Sequence, residues 1–203
     1  SNGNGHANGN GANGHDHRRL IGKVSIITGG GQGIGRATAI KFAKEGAKVA
    51  VCDINMTSVA ETLAQVRNLG GEALGFQVDV TDKASVKALY DAAEEAFGAV
   101  DVSIQNAGVI TIARIEDMTE GEWDKVMAVN TKGVFLCAQE AIARMRKHGR
   151  GGRIINTASG QARDGFIYTP HYAASKMGVV GITQSLAKEV ATDGITVNAF
   201  CPG

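Results

Sequence analysis

From Gly22 onward, short β-branched runs alternate with amphipathic stretches long enough to be helices. The runs fall at 23–28, 48–53, 73–79, 100–105, 152–158 and 195–200. Strands that alternate with helices pack as a parallel sheet covered on both faces. Right-handed crossovers make such a sheet doubly wound, with ligands at the C-terminal ends of its strands. Helix signals agree with this α/β reading. Arg36, Ala37, Ile40, Phe42 and Ala43 form a stripe after Gly35, and Gly46 ends it. Asp82 precedes a helix over 83–97, with Gly98 just past its end. Thr119 and Glu122 have the spacing of a capping box for a helix through Trp123, Val126 and Met127, read over 122–147. Thr169 followed by Pro170 reads as N-cap and first position of a long helix to about Thr192. There is no internal repeat, and residues 20–203 read as one domain.

Residues 1–19 are different: Ser1 to His17 alternate Asn, Gly, His and Ala without Leu, Ile, Val or an aromatic, which predicts a disordered tail. His6, His15 and His17 read as solvated, and no metal site is expected. The chain has 28 glycines in 203 residues, about twice the average usage, but only 2 prolines, which excludes collagen and Pro/Gly-rich disorder. Five of the glycines lie in the tail, so the folded part must use the rest. Gly178 and Gly181, inside a helix where glycine costs up to ~1 kcal/mol relative to Ala, imply close packing against a neighbour.

A formal net charge of +1 leaves no electrostatic footprint for nucleic acid or an anionic membrane. The apolar runs fall far short of the ~20 residues that span a bilayer, and the N-terminus has no signal pattern, so a cytoplasmic location is expected. Cys52, Cys137 and Cys201 are odd in number and lack CxxC spacing, which reads as buried free thiols in a reducing compartment.

The first run ends in Thr28-Gly29-Gly30-Gly31-Gln32-Gly33-Ile34-Gly35-Arg36, and a helix opens directly after it. Glycines let a backbone turn tightly and approach a diphosphate, and the helix N-terminus offers unpaired N–H groups. A dinucleotide is the expected ligand. The spacing is Thr-Gly-x-x-x-Gly-x-Gly, not the common Gly-x-Gly-x-x-Gly. Asp53 closes the second run, where a carboxylate accepts hydrogen bonds from ribose hydroxyls and repels a 2′-phosphate. Neither Gln32 nor Ile54 supplies the cation that NADP would need, so the cofactor is predicted to be NAD(H); a strand-end cap is the alternative role for Asp53. Asp79-Val80 ends the third run, where the carboxylate either reaches the adenine amino group or serves the turn.

Tyr172 and Lys176, four apart on the long helix, share one face. An ammonium beside a phenol favours the phenolate and lowers the phenol pKa from about 10 toward the working pH, which makes an acid/base catalyst. Ser159, at the end of the fifth run, lies at the same sheet edge as the glycine turn and can donate to a substrate oxygen as charge develops. Alone, a Tyr and a Lys at helical spacing are a surface pair; after a strand-end Ser and a dinucleotide turn they point to chemistry.

Thr28-Gly29-x-x-x-Gly33-x-Gly35, Asn106-Ala107-Gly108, Asn130, Ser159, Tyr172-x-x-x-Lys176, Asn198 and Pro202-Gly203, taken in order, resemble the short-chain dehydrogenases/reductases from about Gly22 to the last residue. The resemblance implies a Rossmann-type sheet of strand order 3-2-1-4-5-6 in three α/β/α layers, and hydride transfer between a secondary alcohol and a nicotinamide. It implies that Tyr172 exchanges the proton on the substrate oxygen, that Ser159 orients and polarises that oxygen, and that Lys176 also holds the nicotinamide ribose. It implies that Asn130 keeps a water on the proton path through Lys176; the alternative for Asn130 is a helix residue that satisfies local backbone. Gly29, Gly31, Gln32, Gly33, Ile34, Gly35, Asp53, Ile54, Asp79, Val80, Asn106, Ala107, Gly108, Pro202 and Gly203 would lie along the cofactor. Gln105 departs from the family's usual Asn at that strand end.

Gly160, Gln161, Phe166, Ile167 and Tyr168 are expected to form one side of a pocket suited to a small polar ketone or diol. The stretch 195–203 is similar to acetoin/butanediol and polyol dehydrogenases, with 3-oxoacyl thioester reduction as the competing class. The resemblance also implies a homotetramer built on the two long helices. Family members continue past Pro202-Gly203 with a segment that closes over the substrate, a helix and a last strand. Either the native enzyme is longer, or a short relative binds NAD without turnover; Ser159, Tyr172 and Lys176 favour the first.

Overall fold

The computed structural model describes residues 17–203. Most of the expected tail, His6 and His15 included, lies outside the described residues. The Arg19 guanidinium and main-chain N–H both bind the Glu45 carboxylate.

The β-branched runs form β1 (Val24–Thr28), β2 (Lys48–Asp53), β3 (Ala73–Gln77), β4 (Val102–Gln105), β5 (Gly152–Thr157) and β6 (Ile195–Phe200). Every neighbouring pair is parallel, and the order is β3-β2-β1-β4-β5-β6, a doubly wound sheet that reverses direction between β1 and β4. β1 and β5 are each one residue shorter than the pattern predicts, and β3 and β4 are each two residues shorter. β3 stops at Gln77 because Asp79 folds back on Thr81, accepting from its N–H at 2.8 Å and its hydroxyl at 2.7 Å. β4 starts at Val102, after Asp101 has turned its carboxylate to the Val24 N–H at 3.0 Å.

The period of two splits the apolar side chains between the sheet's faces. Ile26 lies in one cluster with Leu89 of α3 (Lys83–Phe97) and with Cys137 and Met145 of α5 (Gly133–His148), and Leu186 of α6 (Pro170–Glu189) packs against that cluster. Ile27 packs with α1 (Gly33–Lys44) and α2 (Met56–Asn68), in one cluster with Ala39, Val59, Leu63 and Val66. Both isoleucines are fully buried, and each such side chain contributes about 2 kcal/mol. Burial pushes the Cys52 thiol well above its ordinary value and that of Cys137 up to about 12, so both stay protonated. Cys201, expected to be buried, is exposed, because it follows the last strand rather than lying within it.

α2, α3 and α4 (Glu120–Met127) are capped by side chains: Asn55 on Thr57 and Ser58, Asp82 on Ala84 and Ser85, and Thr119 with Glu122 in the expected reciprocal box. Thr169 does not cap α6. Its φ of −134° and ψ of 39° turn the hydroxyl away from the first turn, and it donates to Gln161 Oε1 at 2.8 Å. The buried stripe of α1 is Gly35, Ala39 and Ala43, while Ala37 faces solvent. The single helix expected over 122–147 is two, α4 and α5, joined by a π-turn, Ala128–Lys132. A π-turn inserts an extra residue and re-aims the side chains on it; Asn130 lies there.

Candidate active site

The C-terminal ends of β1 to β5 define the site. Gly29 has φ +61°, and a Cβ there would lie 2.7 Å from Ala107 Cα, so the turn after β1 packs directly on the backbone after β4. In the first turn of α1, a Cβ on Gly35 would overlap the Gly29 carbonyl. Thr28 and Asn106 brace this junction. Asn106 N and Ala107 N donate to Thr28 Oγ1 at 3.0 and 3.1 Å, and Asn106 Nδ2 donates to the Thr28 and Gly29 carbonyls at 3.1 and 3.0 Å.

Unlike α2, α3 and α4, α1 begins without a side-chain cap: Gln32 is its N-cap residue and makes no such bond. The N–H groups of Gly33, Ile34 and Gly35 have no intrahelical partner and stand at the positive end of the helix dipole, where an anion fits.

A cavity of about 520 Å³ opens beside this turn. Gly29 and Gln32 line it with Asp53 and Ile54 after β2, Asp79 and Val80 after β3, and Asn106, Ala107 and Gly108 after β4. The volume suits a cofactor. Asp53 accepts from Gly31 N at 3.1 Å and from Asn55 N at 3.2 Å; a carboxylate has about four acceptor positions, so capacity remains for a diol. The strand-end role and the ribose role are therefore compatible. Asp79 serves its turn through Thr81 and still lines the cavity. Sequence patterning gave no sign of Lys125 of α4, which brings a cation to the same cavity from the opposite element. The uncapped α1, the glycine packing and this donor set together fit a dinucleotide.

Beyond Gly108 lies the second group. Lys176 is 3% exposed, and its Nζ donates to the Thr157 carbonyl at 2.7 Å. Nζ lies 5.5 Å from the centroid of the Tyr172 ring. Burial lowers the Lys176 ammonium to about 8. Ser159 follows β5 and accepts at Oγ from Gln161 N at 3.2 Å. Asn130, fully buried, binds the loop after β4 rather than its own helix: Oδ1 accepts from Val109 N at 2.8 Å and Nδ2 donates to Val109 O at 2.9 Å. Nδ2 also donates to Ser175 Oγ at 3.0 Å, and Ser175 Oγ donates to Tyr172 O at 2.7 Å. That link from the π-turn to the Tyr172 backbone was not foreseen. A Cβ built on Gly108 would lie 3.3 Å from Asn130 Oδ1 and 3.6 Å from Lys176 Nζ, so the cavity and the Tyr–Lys pair adjoin at this residue.

Pro202 and Gly203 lie beside this group, with Pro202 O accepting from Gly160 N at 2.8 Å. Gln105 is buried; with its amide oriented to satisfy both ends it donates to Ile155 O and Asn156 Oδ1 at 3.1 Å. Tyr168 takes a left-handed φ of 64°, a strained value for an aromatic residue, and its carbonyl accepts from Ala113 N at 3.0 Å. This joins the segment before α6 to the loop after β4, where Ile110 and Ile112 are exposed.

A family model described as short chain dehydrogenase matches residues 23–203. The D-threitol dehydrogenase of Mycolicibacterium smegmatis is 40% identical over 184 residues, spanning 91% of this chain and 70% of that protein. A 3-oxoacyl-acyl-carrier-protein reductase of Thermotoga maritima is 40% identical over 185 residues, spanning 91% and 75%. The crystal structure of levodione reductase matches with a TM-score of 0.88 at 39% identity, over 91% of this chain and 72% of that one.

Proposed function

The chain belongs to the short-chain dehydrogenase/reductase family and is an oxidoreductase, and from that premise we propose that it interconverts a small diol, polyol or acyloin-type secondary alcohol and its ketone with NAD(H). When bound, the nicotinamide supplies the hydride chemistry at the carbinol carbon. The chain's own residues handle the proton. In the oxidative direction Tyr172 Oη takes the proton from the substrate hydroxyl, and in the reductive direction it returns it. Ser159 Oγ donates to the same oxygen and fixes its position. Lys176 Nζ, near the tyrosine ring, supplies the positive charge that favours a phenolate and a donor for the ribose. Asn130 holds the backbone at Val109 and, with Lys176, flanks the space at Gly108 where a water would carry the proton onward.

The observation that carries this reading is the meeting at Gly108 of the glycine-turn cavity with Lys176 Nζ and Asn130 Oδ1. It brings the far end of an extended dinucleotide to the acid/base pair. Asp53 at the other end supports NAD over NADP, since a 2′-phosphate there meets a carboxylate.

The substrate class rests on the segment between Ser159 and Tyr172, with Gly160, Gln161 and the exposed Phe166, Ile167 and Tyr168, and on the D-threitol dehydrogenase as a supporting relative. The competing class is a 3-oxoacyl thioester, favoured by the reductase relative and by exposed Ile110 and Ile112, which suit an acyl chain. A panel of diols, sugar alcohols and acetoacetyl thioester, each with NAD(H) and NADP(H), separates them. Activity on the thioester alone would remove the polyol reading, and NADH binding without any turnover would favour the binding-protein alternative.

A homotetramer built on α5 and α6 is part of the proposal, supported by Phe135 and Met177, each about half exposed on those helices. No helix among the described residues is long and apolar enough to cross a membrane, and the buried thiols of Cys52 and Cys137 support a reducing, cytoplasmic compartment.

A further inference from the structure

Arg36, immediately after the last glycine of the turn, is held through both Nε and Nη2. Its Nε donates to Gly31 O at 2.9 Å and to Thr62 Oγ1 at 3.1 Å. Its Nη2 donates to the same Gly31 carbonyl, to Ser58 O at 3.3 Å, and to Glu61 Oε2 at 2.7 Å. Thr62, fully buried on α2, donates its hydroxyl to Gly30 O at 3.0 Å. Two consecutive carbonyls of the glycine turn are thus drawn toward α2.

The orientation of a trans peptide links its two ends: the C=O and the following N–H point opposite ways. All described peptides of the turn are trans. Holding Gly31 O against Arg36 therefore aims the Gln32 N–H away from α2, and Gln32 lines the cavity. Without that hold, the run Gly29-Gly30-Gly31 has the freedom to flip the peptide and present an oxygen where an anion must bind.

We infer that Arg36 is a positioning residue for the cofactor diphosphate: acting through Gly31 O, and seconded by Thr62 at Gly30 O, it locks the turn with its N–H toward the cavity. This rests on the dinucleotide reading. The guanidinium is committed to the turn and to Glu61, so it acts on the ligand through the backbone and not as a cation for a 2′-phosphate.

Fluorescence titration of the purified full chain with NADH, together with steady-state kinetics at varied NAD, tests the inference. Arg36→Met keeps the apolar stem and removes the fork of donors. It should raise the NADH Kd and the KM for NAD by about tenfold or more, with the loss on KM rather than kcat. Arg36→Lys should recover part of the affinity, and Thr62→Val should weaken NADH binding by about threefold, the scale of one neutral hydrogen bond. Glu61→Gln removes the ion pair but not the contact to Gly31 O, and should bind NADH within about twofold of wild type, as expected for an exposed pair.

An unchanged Kd in Arg36→Met overturns the inference, and so does a Glu61→Gln variant as weak as Arg36→Met, which would assign the effect to charge pairing. If Arg36→Met does not fold, Arg36→Lys and Thr62→Val decide, and wild-type affinity in both overturns it. Wild-type protein that binds neither NADH nor NADPH overturns the dinucleotide reading as well, so the two failures are distinguishable.

Discussion

Replacing Lys176 with Met should change how stability depends on pH, by an amount set by the burial of one ammonium. Burial lowers this group from 10.5 to about 8, and at about 1.4 kcal/mol per unit the charged form costs about 3 kcal/mol wherever both folded and unfolded chains are protonated. As pH rises, the folded chain loses its proton first, near 8. Between about 8 and 10.5 the unfolded chain holds more proton, so stability rises with pH; above 10.5 both forms are neutral and the cost is gone. Lys176→Met removes this titration with little change in side-chain length. It also removes the bond to Thr157 O, which stabilises by about 1–3 kcal/mol at every pH. Near pH 7 the two effects nearly cancel, so variant and wild type should unfold within about 2 kcal/mol of each other. By pH 10.5 wild type should have gained about 3 kcal/mol on the variant. Urea unfolding followed by circular dichroism, at one fixed protein concentration, measures this. A difference constant to about 0.5 kcal/mol across that range would refute an unpaired buried ammonium, since its titration makes the difference vary. The same variant should lose turnover and bind NADH more weakly; an unchanged NADH Kd would remove the proposed ribose contact.

Cofactor choice should respond to the β2 end. The double substitution Asp53→Ser with Ile54→Arg removes a repelling carboxylate and adds a cation, and should move the NADP(H)-to-NAD(H) affinity ratio upward by about tenfold or more; competition titrations showing no shift would mean that this end does not read the ribose. At the turn, Gly29→Ala places a Cβ 2.7 Å from Ala107 Cα at φ +61°, and should destabilise the fold by about 2 kcal/mol or more in urea unfolding. Full stability would mean that the β1 and β4 ends do not pack as described.

The sheet was legible because both periodicities were unbroken: Ile26 and Ile27 divide the two cores as alternating strand residues must. Boundaries moved where side chains bond locally, as Asp79 does with Thr81 at the end of β3. The π-turn was invisible, because residues 128–132 keep a helical hydropathy pattern while the hydrogen bonds shift by one. Thr169 had the identity of a cap, but its hydroxyl found Gln161 instead. Of the two helical glycines, Gly178 does face a neighbour, with a Cβ there 3.1 Å from Thr131 Cγ2, whereas a Cβ at Gly181 would meet nothing within 4 Å.

The candidate site residues could be named from motif spacing, but their partners could not. Asn106 was expected along the cofactor, and its side chain is also spent holding the Thr28 and Gly29 carbonyls. Lys125, Ser175 and Thr62 belong to no spacing rule and came into view only as neighbours across elements. Arg36 looked like one more helix residue until its contacts with Gly31 O were seen.

The most direct test of the account is the rate of nicotinamide reduction with saturating NAD and the best alcohol of the panel, compared between wild type and Tyr172→Phe. General acid/base catalysis contributes about 10²–10⁴-fold, so turnover should fall by at least about a hundredfold in the variant while its NADH Kd stays within a few-fold of wild type. Near-normal kcat in Tyr172→Phe would contradict the proposed chemistry.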